Sequence, residues 1–417
     1  MQQAAVAIIF IATVIGLYVR PFGARDWQVA LAGAAAAWLA GPLSVADGLR
    51  VIGDSWNIVL FFAGLMLLAA GAEATGLYAS AERVFARADS PRQMTLFVLV
   101  GGIAITAILS NDATPLVFTP AVFAASRSRG FPVRGPAFAT TFVADGASLL
   151  LPVSNPVNLL FFERFDYTMG DYAHQVFPAA IAGTAALAAV AYLLPSGGDD
   201  PRPAPRSVVR EAANPVLQRW AIALIVVLAP VYVLAAANGW PLGVVSVGGG
   251  VALFLAQLAF GGVRRDCYRR QFAPSLFVFV ASLLVLVAAV SEAGLLDGLG
   301  ARLESLGGQQ VFFAVLGAAL IATVIANLVN NWPAALLLTT AIAGLAAPSE
   351  AVLTGTLIGC TIGANLSMTG SLSTVFWLSL ARAEGVHYSA IDYARRAFLP
   401  TTAGLLAAVG AASLCLR

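Results

Sequence analysis

"LSNDATPLVFTP", Leu109 to Pro120, lies inside a long apolar run where a membrane helix should continue, yet it carries Asn111, Asp112 and two prolines. An ionisable side chain at membrane depth is costly and points to function. What surrounds this stretch decides the fold. The chain has 417 residues, 59% of them hydrophobic and only 11% charged, with a mean hydropathy of +0.86. That is the composition of an integral membrane protein. Its apolar runs are about 20 residues long, the length at which a helix crosses a hydrocarbon core of about 30 Å. The ten-residue alternation of a membrane β-barrel is absent, so an all-α bundle is expected. The first run, Gln2 to Val19, lacks a basic n-region and reads as the first span.

All 23 basic residues are arginine. Without lysine, a phosphate-binding G-x-x-x-x-G-K-[ST] loop and a lysine Schiff base are both excluded. Cys267, Cys360, Cys415, His174 and His387 are scattered without metal-ligand spacing, so neither a zinc site nor a disulfide framework is expected. No nucleophile and base pair is visible. The reading is a chain that is not an enzyme, with no cofactor and no nucleic-acid partner.

The arginines set the topology. Arg20 and Arg25; Arg83, Arg87 and Arg92; Arg127, Arg129 and Arg134; Arg202, Arg206, Arg210 and Arg219; Arg264, Arg265, Arg269 and Arg270; and Arg382, Arg395 and Arg396 form six clusters. The positive-inside rule assigns all six to the cytoplasm, and leaves Arg50, Arg164, Arg302 and Arg417 outside. Both termini are then external. Met94 to Ser126 is flanked by cytoplasmic clusters on both sides, so its 33 residues must begin and end on one face. A re-entrant helical hairpin broken at Asn111-Asp112 fits. Irregular backbone at that depth is tolerated only where protein or a water-filled cavity satisfies it.

Further spans are expected at Trp27 to Ala46, Asn57 to Tyr78, Pro136 to Phe165 with a break near Ser154-Asn155-Pro156, and His174 to Leu194. A polar linker over 195–216 follows. Beyond it come Leu217 to Ala237, Pro241 to Phe260, Pro274 to Ala293, a second hairpin over 310–346, a second broken helix over 350–380, and Ala397 to Leu416. The expectation is about ten spans, two re-entrant hairpins and two broken helices.

A shift of 219 residues superimposes Glu73 on Glu292, Leu77 on Leu296, Arg83 on Arg302, Leu109 on Leu328, Asn111 on Asn330 and Ser154 on Ser373. Arg83 reads as cytoplasmic and Arg302 as external, so residues 1–194 and 217–417 are expected to be inverted repeats. Paired interrupted helices in inverted repeats are the architecture of secondary transporters, whose site lies near the midplane where the breaks meet.

The breaks supply the candidate residues: Asn111, Ser154, Asn155, Asn158, Asn330, Asn331, Ser371, Ser373 and Thr374 as hydrogen-bonding groups for a small hydroxylated solute, and Asp112 and Asp145 as proton carriers. Asp112 also reads as a helix N-cap, and Asp145 as a cap or a partner of Arg134. Glu73 and Glu292 read as structural. Cys360 is a candidate soft ligand or a packing residue. Trp332 reads as a packing residue.

The stretches "SNDATPLVFTP" at 110 to 120, "FVADGASLLLPVSNPVNLLFF" at 142 to 162, "NNWPAALL" at 330 to 337 and "GCTIGANLSMTGSLSTVFWL" at 359 to 378 resemble the arsenite/antimonite efflux membrane pumps, ArsB type, of the ion transporter superfamily. The likeness covers essentially the whole chain. It implies export of trivalent arsenic and antimony as the neutral trihydroxide against inward proton flow, across the plasma (inner) membrane of a bacterial or archaeal-type cell. It also implies the lipid bilayer, a soluble ATPase subunit in some systems and a second copy of the chain as partners to consider. Sodium-coupled dicarboxylate carriers of similar architecture have Ser-Asn-Thr at both tips; Asp112 and Trp332 depart from that pattern. The second unwound stretch, Ala364-Asn365-Leu-Ser-Met-Thr, stands where a Gly-Pro-Lys-like segment is expected. No arginine falls at a break, which disfavours a dicarboxylate. A sodium/proton antiporter and a passive conduit energised by a partner ATPase are the rival readings.

Overall fold

The computed structural model describes all residues except 1, 20, 42, 196–214, 261–262, 273 and 417. Most of the linker, with Arg202, Arg206 and Arg210, lies outside the described residues, as do Arg20 and Arg417. The described residues are all-helical, with no strand. The first half contains α1 (Gln2–Val19), α2 (Asp26–Leu39), α3 (Val45–Asp54), α4 (Trp56–Ala74), α5 (Leu77–Phe85), α6 (Pro91–Ile108), α7 (Ala113–Arg129), α8 (Arg134–Gly146) and α9 (Pro156–Arg164). The short α10 (Met169–Asp171) then runs through a wide turn into α11 (Phe177–Leu193). The second half contains α12 (Pro215–Ala237), α13 (Leu242–Ala259), α14 (Arg265–Gln271), α15 (Pro274–Glu292), α16 (Asp297–Gly307), α17 (Val311–Val329), α18 (Asn331–Ala343), α19 (Glu350–Thr361), α20 (Leu372–Ala383) and α21 (Ala390–Cys415).

Setting α10 aside, the ten helices of the first half recur in order as α12 to α21. The joints recur too. Gly76 between α4 and α5 has φ +78°, and Gly294 between α15 and α16 has φ +71°, a left-handed turn that glycine adopts without a Cβ clash. The halves interlock: α2 packs on α15 while α13 packs on α4, and α20 lies along α7 while α9 lies along α18.

The hairpins and broken helices meet through matching backbone bonds. Asn111 N donates to Ser154 O at 2.8 Å, and Asn331 N donates to Gly370 O at 2.7 Å. The structure therefore equates Asn111 with Asn331 and Ser154 with Gly370, where the ungapped shift paired them with Asn330 and Ser373. The loops differ in length by a few residues, which a single shift cannot follow. The same pairing puts Trp332 in the place of Asp112.

These bonds fix where the tips lie. Arg129 pairs with Asp89 at 3.7 Å, so α7 ends beside the start of α6 on the arginine-rich face. From the same face α8 rises 13 residues, about 20 Å, before its break meets the tip. Beyond the break α9 continues for 9 residues, so the first tip stops short of the far face. The second hairpin does the same from the opposite side.

Eight helices among the described residues are long and apolar enough to cross a membrane, with shorter apolar helices at Gln2–Leu17, Asn331–Ala343 and Glu350–Leu366. The expected span Trp27 to Ala46 is shorter than read: α2 stops at Leu39, Gly41 turns the chain at φ +82°, and Ser44 caps the separate helix α3 through Asp47 N at 3.1 Å. The last helix begins earlier than read, at Ala390, where Ser389 caps Asp392 N. The first break is wider than Ser154-Asn155-Pro156, running from Ala147 to Asn155.

Helix α19 packs on α17 through Gly355 and Gly359, one turn apart, and Gly363 just beyond its end continues the seam, small residues that let backbones approach. A Cβ at 359 would lie 2.3 Å from the Ala319 carbonyl oxygen. Gly359→Ala is expected to destabilise the protein by about 1–3 kcal/mol, because backbone cannot yield as a side chain can. Gly248→Ala, where a Cβ meets nothing within 4 Å, is the control. Thermal melting in detergent should separate the two variants.

Candidate functional site

Most of the polar side chains at the breaks are occupied in holding the unwound backbone. Asn155 caps α9, accepting from Val157 N at 2.9 Å and donating to Ser148 Oγ at 3.1 Å. Asn158 Nδ2 donates to the carbonyls of Ser148, at 2.6 Å, and Leu151, at 3.0 Å. Ser154 Oγ donates to Ala107 O at 2.9 Å. In the second tip Asn330 adopts φ +78°, held by its side chain, which accepts from Trp332 N at 3.3 Å and donates to Thr369 O at 2.9 Å. Unwound backbone inside a membrane must find such partners.

Asp145 is the hub where the halves join. It is completely buried at the end of α8. Its Oδ1 accepts from Ser371 Oγ at 2.6 Å, Ser373 Oγ at 2.8 Å and Asn111 Nδ2 at 3.3 Å, and its Oδ2 accepts from Thr374 Oγ1 at 3.2 Å. Four donors on one buried carboxyl group satisfy it without a neighbouring cation. Thr141, one turn before Asp145 on α8, adds a hydroxyl 3.1 Å from that of Thr374. The seam is closed by rings: Phe138 lies 5.1 Å from Trp377, which stacks on Tyr388 at 5.2 Å.

Asp112 is built differently. It begins α7 but does not cap it; Ser110 Oγ accepts from Ala113 N at 3.2 Å instead. The capping interpretation of Asp112 is thereby corrected: its backbone is already helical, with φ −74° and ψ −32°, and Ser110 takes the cap role. Asp112 Oδ1 is buried without a hydrogen-bond partner, and the residue lines a cavity of about 340 Å³. Asp145 is near enough to interact with it electrostatically.

Two cavities approach the centre from opposite ends of α2 and α15. The first is bounded by Arg25 and Asp26 at the start of α2 and Ser275 at the start of α15, and it reaches Ser110, Asp112 and Leu372. A separate small cavity shares Asp26, Phe279 and Leu372 with it and is lined by Asn330 and Thr369 at the second tip. The second cavity, about 440 Å³, is lined by Asp47, Arg50, Asp54, Glu163, Arg164 and Glu292 and goes no deeper along α18 than Leu336. Trp332 stands between, buried, with its ring 5.6 Å from that of Phe62. Of these two cavities, the one beside Arg25 and Ser275 reaches the first tip and the one beside Asp47 and Glu292 does not.

The structure brings Asn111, Asp145, Ser371, Ser373 and Thr374 together, and puts Asp112 and Asn330 on cavity walls. Asn331 is buried, its amide tying the second tip to Gly370. Cys360 is a buried free thiol in the apolar core of α19 and lines none of these cavities. Asp145 bonds to hydroxyls and Asn111, and Arg134 instead lies 6.0 Å from the Tyr388 ring. Sequence reasoning missed Thr141 and Ser148. Thr141 stands four residues before Asp145, a spacing that shares a helix face and could have revealed it. Arg127 at the end of α7 pairs with Glu384 after α20 at 2.5 Å, clasping the first hairpin to the second broken helix.

Four helix N-termini, those of α7, α9, α18 and α20, converge here. Such ends favour negative charge, and the acidic residues at these breaks are Asp112 and Asp145. No metal-binding group of three His, Cys, Asp or Glu side chains occurs among the described residues.

The profile of the citrate transporter family, CitMHS, matches residues 5–363. The chain is 27% identical to the arsenical pump membrane protein of Yersinia enterocolitica over 421 residues, 97% of each chain. It is 26% identical to an arsenical pump membrane protein of Escherichia coli over 382 residues, 89% of each. Among solved structures, the Alcanivorax borkumensis YdaH transporter, described as having an unusual topology, matches with a TM-score of 0.56 at 17% identity over 88% of this chain and 89% of that one. That likeness is one of fold. By the span of the profile and the helical architecture together, the chain belongs to the CitMHS family of membrane transporters, within the ion transporter superfamily.

Proposed function

We propose that this chain exports trivalent arsenic and antimony, as the neutral trihydroxides, in exchange for protons by alternating access. The observation that carries the reading is the junction at Asp145: one buried carboxylate gathers hydroxyl donors from the second repeat and an amide from the first, beside a cavity ending at a second, unpartnered carboxylate. Substrate enters from the cytoplasm, the arginine-rich side, and meets Ser110, Asp112 and the second tip. Hydroxyls of a trihydroxide can both donate to Asp112 and accept from Ser110 or the Asn330 amide. A proton taken from outside neutralises Asp112 and excludes the substrate, and the return swing delivers it inward. Coupling needs only that proton and substrate prefer different states. Both termini then lie outside.

The names of the arsenical pump relatives support the substrate. The family's own name points to citrate, a carboxylate anion. Two carboxylates at the centre oppose that reading, and Arg25, at the mouth, is the one cation lining the first cavity among the described residues. A buried anion wants a basic partner at close range.

The test is arsenite movement in proteoliposomes holding the purified chain, with an imposed pH gradient and neither sodium nor ATP. Accumulation against the arsenite gradient is the expected result. Sodium-dependent proton flux without arsenite movement would overturn it in favour of a cation antiporter, and citrate uptake in favour of the family's named substrate. Downhill arsenite flow alone would assign the energy to a separate ATPase subunit.

A further inference from the structure

The first cavity is larger than its proposed cargo needs. Arsenous acid has four heavy atoms, whereas about 340 Å³ falls in the range of pockets that hold drug-sized molecules. Its walls are apolar and aromatic: Trp27, Phe62, Met66, Phe279 and Phe376 line it. Its inner end holds Ser110 and Asp112, and its mouth Arg25 and Asp26. Asp112 Oδ1 is buried with no hydrogen-bond partner.

This combination selects a chemical class. An anion would be repelled by Asp112. A hard metal cation needs six or more oxygen ligands, and one carboxylate with one hydroxyl do not supply them. A small neutral polar molecule, such as the trihydroxide proposed as cargo, can meet the polar inner end but leaves the aromatic walls unfilled. A cation with an apolar body satisfies all of them. Its N–H groups give the Asp112 carboxylate, which lines the inner end, a charge-assisted hydrogen bond, and its apolar part fills the space between rings that also attract positive charge.

We propose that the inward cavity is a binding site for a hydrophobic organic ammonium ion, with Asp112 as its counter-ion and Phe62, Phe279 and Phe376 around its apolar body. The proposal rests on the cavity and Asp112, and is independent of which solute the chain transports. Bound there, the ammonium group occupies the Asp112 carboxylate and its apolar body fills the cavity at the first tip.

The experiment is titration calorimetry on the purified full-length chain in detergent, with 4-phenylbutylammonium as the probe and 4-phenylbutanol as its neutral counterpart. The wild type is expected to bind the ammonium ion at least about tenfold more tightly than the alcohol, about 1.4 kcal/mol. In Asp112→Asn the two probes should bind alike. Phe376→Trp, which adds bulk to the wall without altering charge, should weaken both probes together. Equal binding of the two probes to the wild type would overturn the proposal, since it would mean partition into apolar surface. A preference that survives in Asp112→Asn would overturn it as well, by moving the cation to another carboxylate such as Asp26. Thermal melting of each variant shows that it is folded, and Phe376→Trp keeps the test open if Asp112→Asn does not fold. No arm measures arsenite, so a failure of the transport assay leaves this result standing on its own.

Discussion

Asp112→Asn is expected to end uphill arsenite transport driven by a pH gradient while leaving arsenite exchange across the same membrane intact. Asparagine preserves the size of the side chain and much of its hydrogen bonding, but cannot carry a proton between the two faces. Each pH unit is worth about 1.4 kcal/mol per exchanged proton, roughly a tenfold accumulation, and that ratio should fall to about one. Exchange needs only binding and the conformational swing, and should fall far less. The same substitution should change the melting temperature little, because the Oδ1 it alters makes no hydrogen bond that could be lost. Such a group costs about 1–3 kcal/mol. A function-bearing residue that burdens stability is the usual signature of a site. If uphill transport survives in Asp112→Asn, the proton is carried elsewhere and Asp145 becomes the first residue to examine.

Asp145→Asn should behave in the opposite way. Here the carboxylate is fully committed, to Ser371, Ser373, Thr374 and Asn111. An amide at this place puts an N–H group where the protein presents donors, so at least one of these bonds is lost and a donor meets a donor. With a buried donor left unsatisfied costing about 1–3 kcal/mol, the loss in stability should be of that size or larger. Because the hub joins α8 to the start of α20, exchange and uphill transport should disappear together. Melting in detergent and arsenite exchange, measured on the same preparation, check both parts. A folded Asp145→Asn protein with normal exchange would show that the junction does not shape the site. The two carboxylates are thus separable: one variant loses coupling and keeps exchange, the other loses exchange and stability.

The residues of the site were legible in the sequence to different degrees. Asn111 and Asp112 stood out because polar residues and prolines interrupt an apolar run. Asp145 was visible as a carboxylate at membrane depth, but its partners were not. The type and place of Asn155, Asn158 and Ser154 suggest solute ligands, and the structure adds the backbone bonds they make. A side chain's chemistry does not reveal whether its partner is a ligand or an unwound carbonyl. The capping interpretation of Asp112 failed because Ser110, two residues earlier, was free to take the same role.

What the sequence determined by itself follows from constraints that act locally. Bilayer thickness sets the length of apolar helices, backbone hydrogen bonding excludes open strands, and arginine distribution orients the loops. From these came the all-helical membrane fold, the two hairpins and the inverted halves. Only the tertiary structure decided which polar groups meet. Ser371 and Asp145 are 226 residues apart, and no periodicity relates them. The asymmetry of the site was decided there as well. Asp112 and Trp332 occupy equivalent places, yet one faces a cavity and the other closes against Phe62. Which of two equivalent tips is open depends on how the halves pack in three dimensions, and packing is a property of the whole bundle.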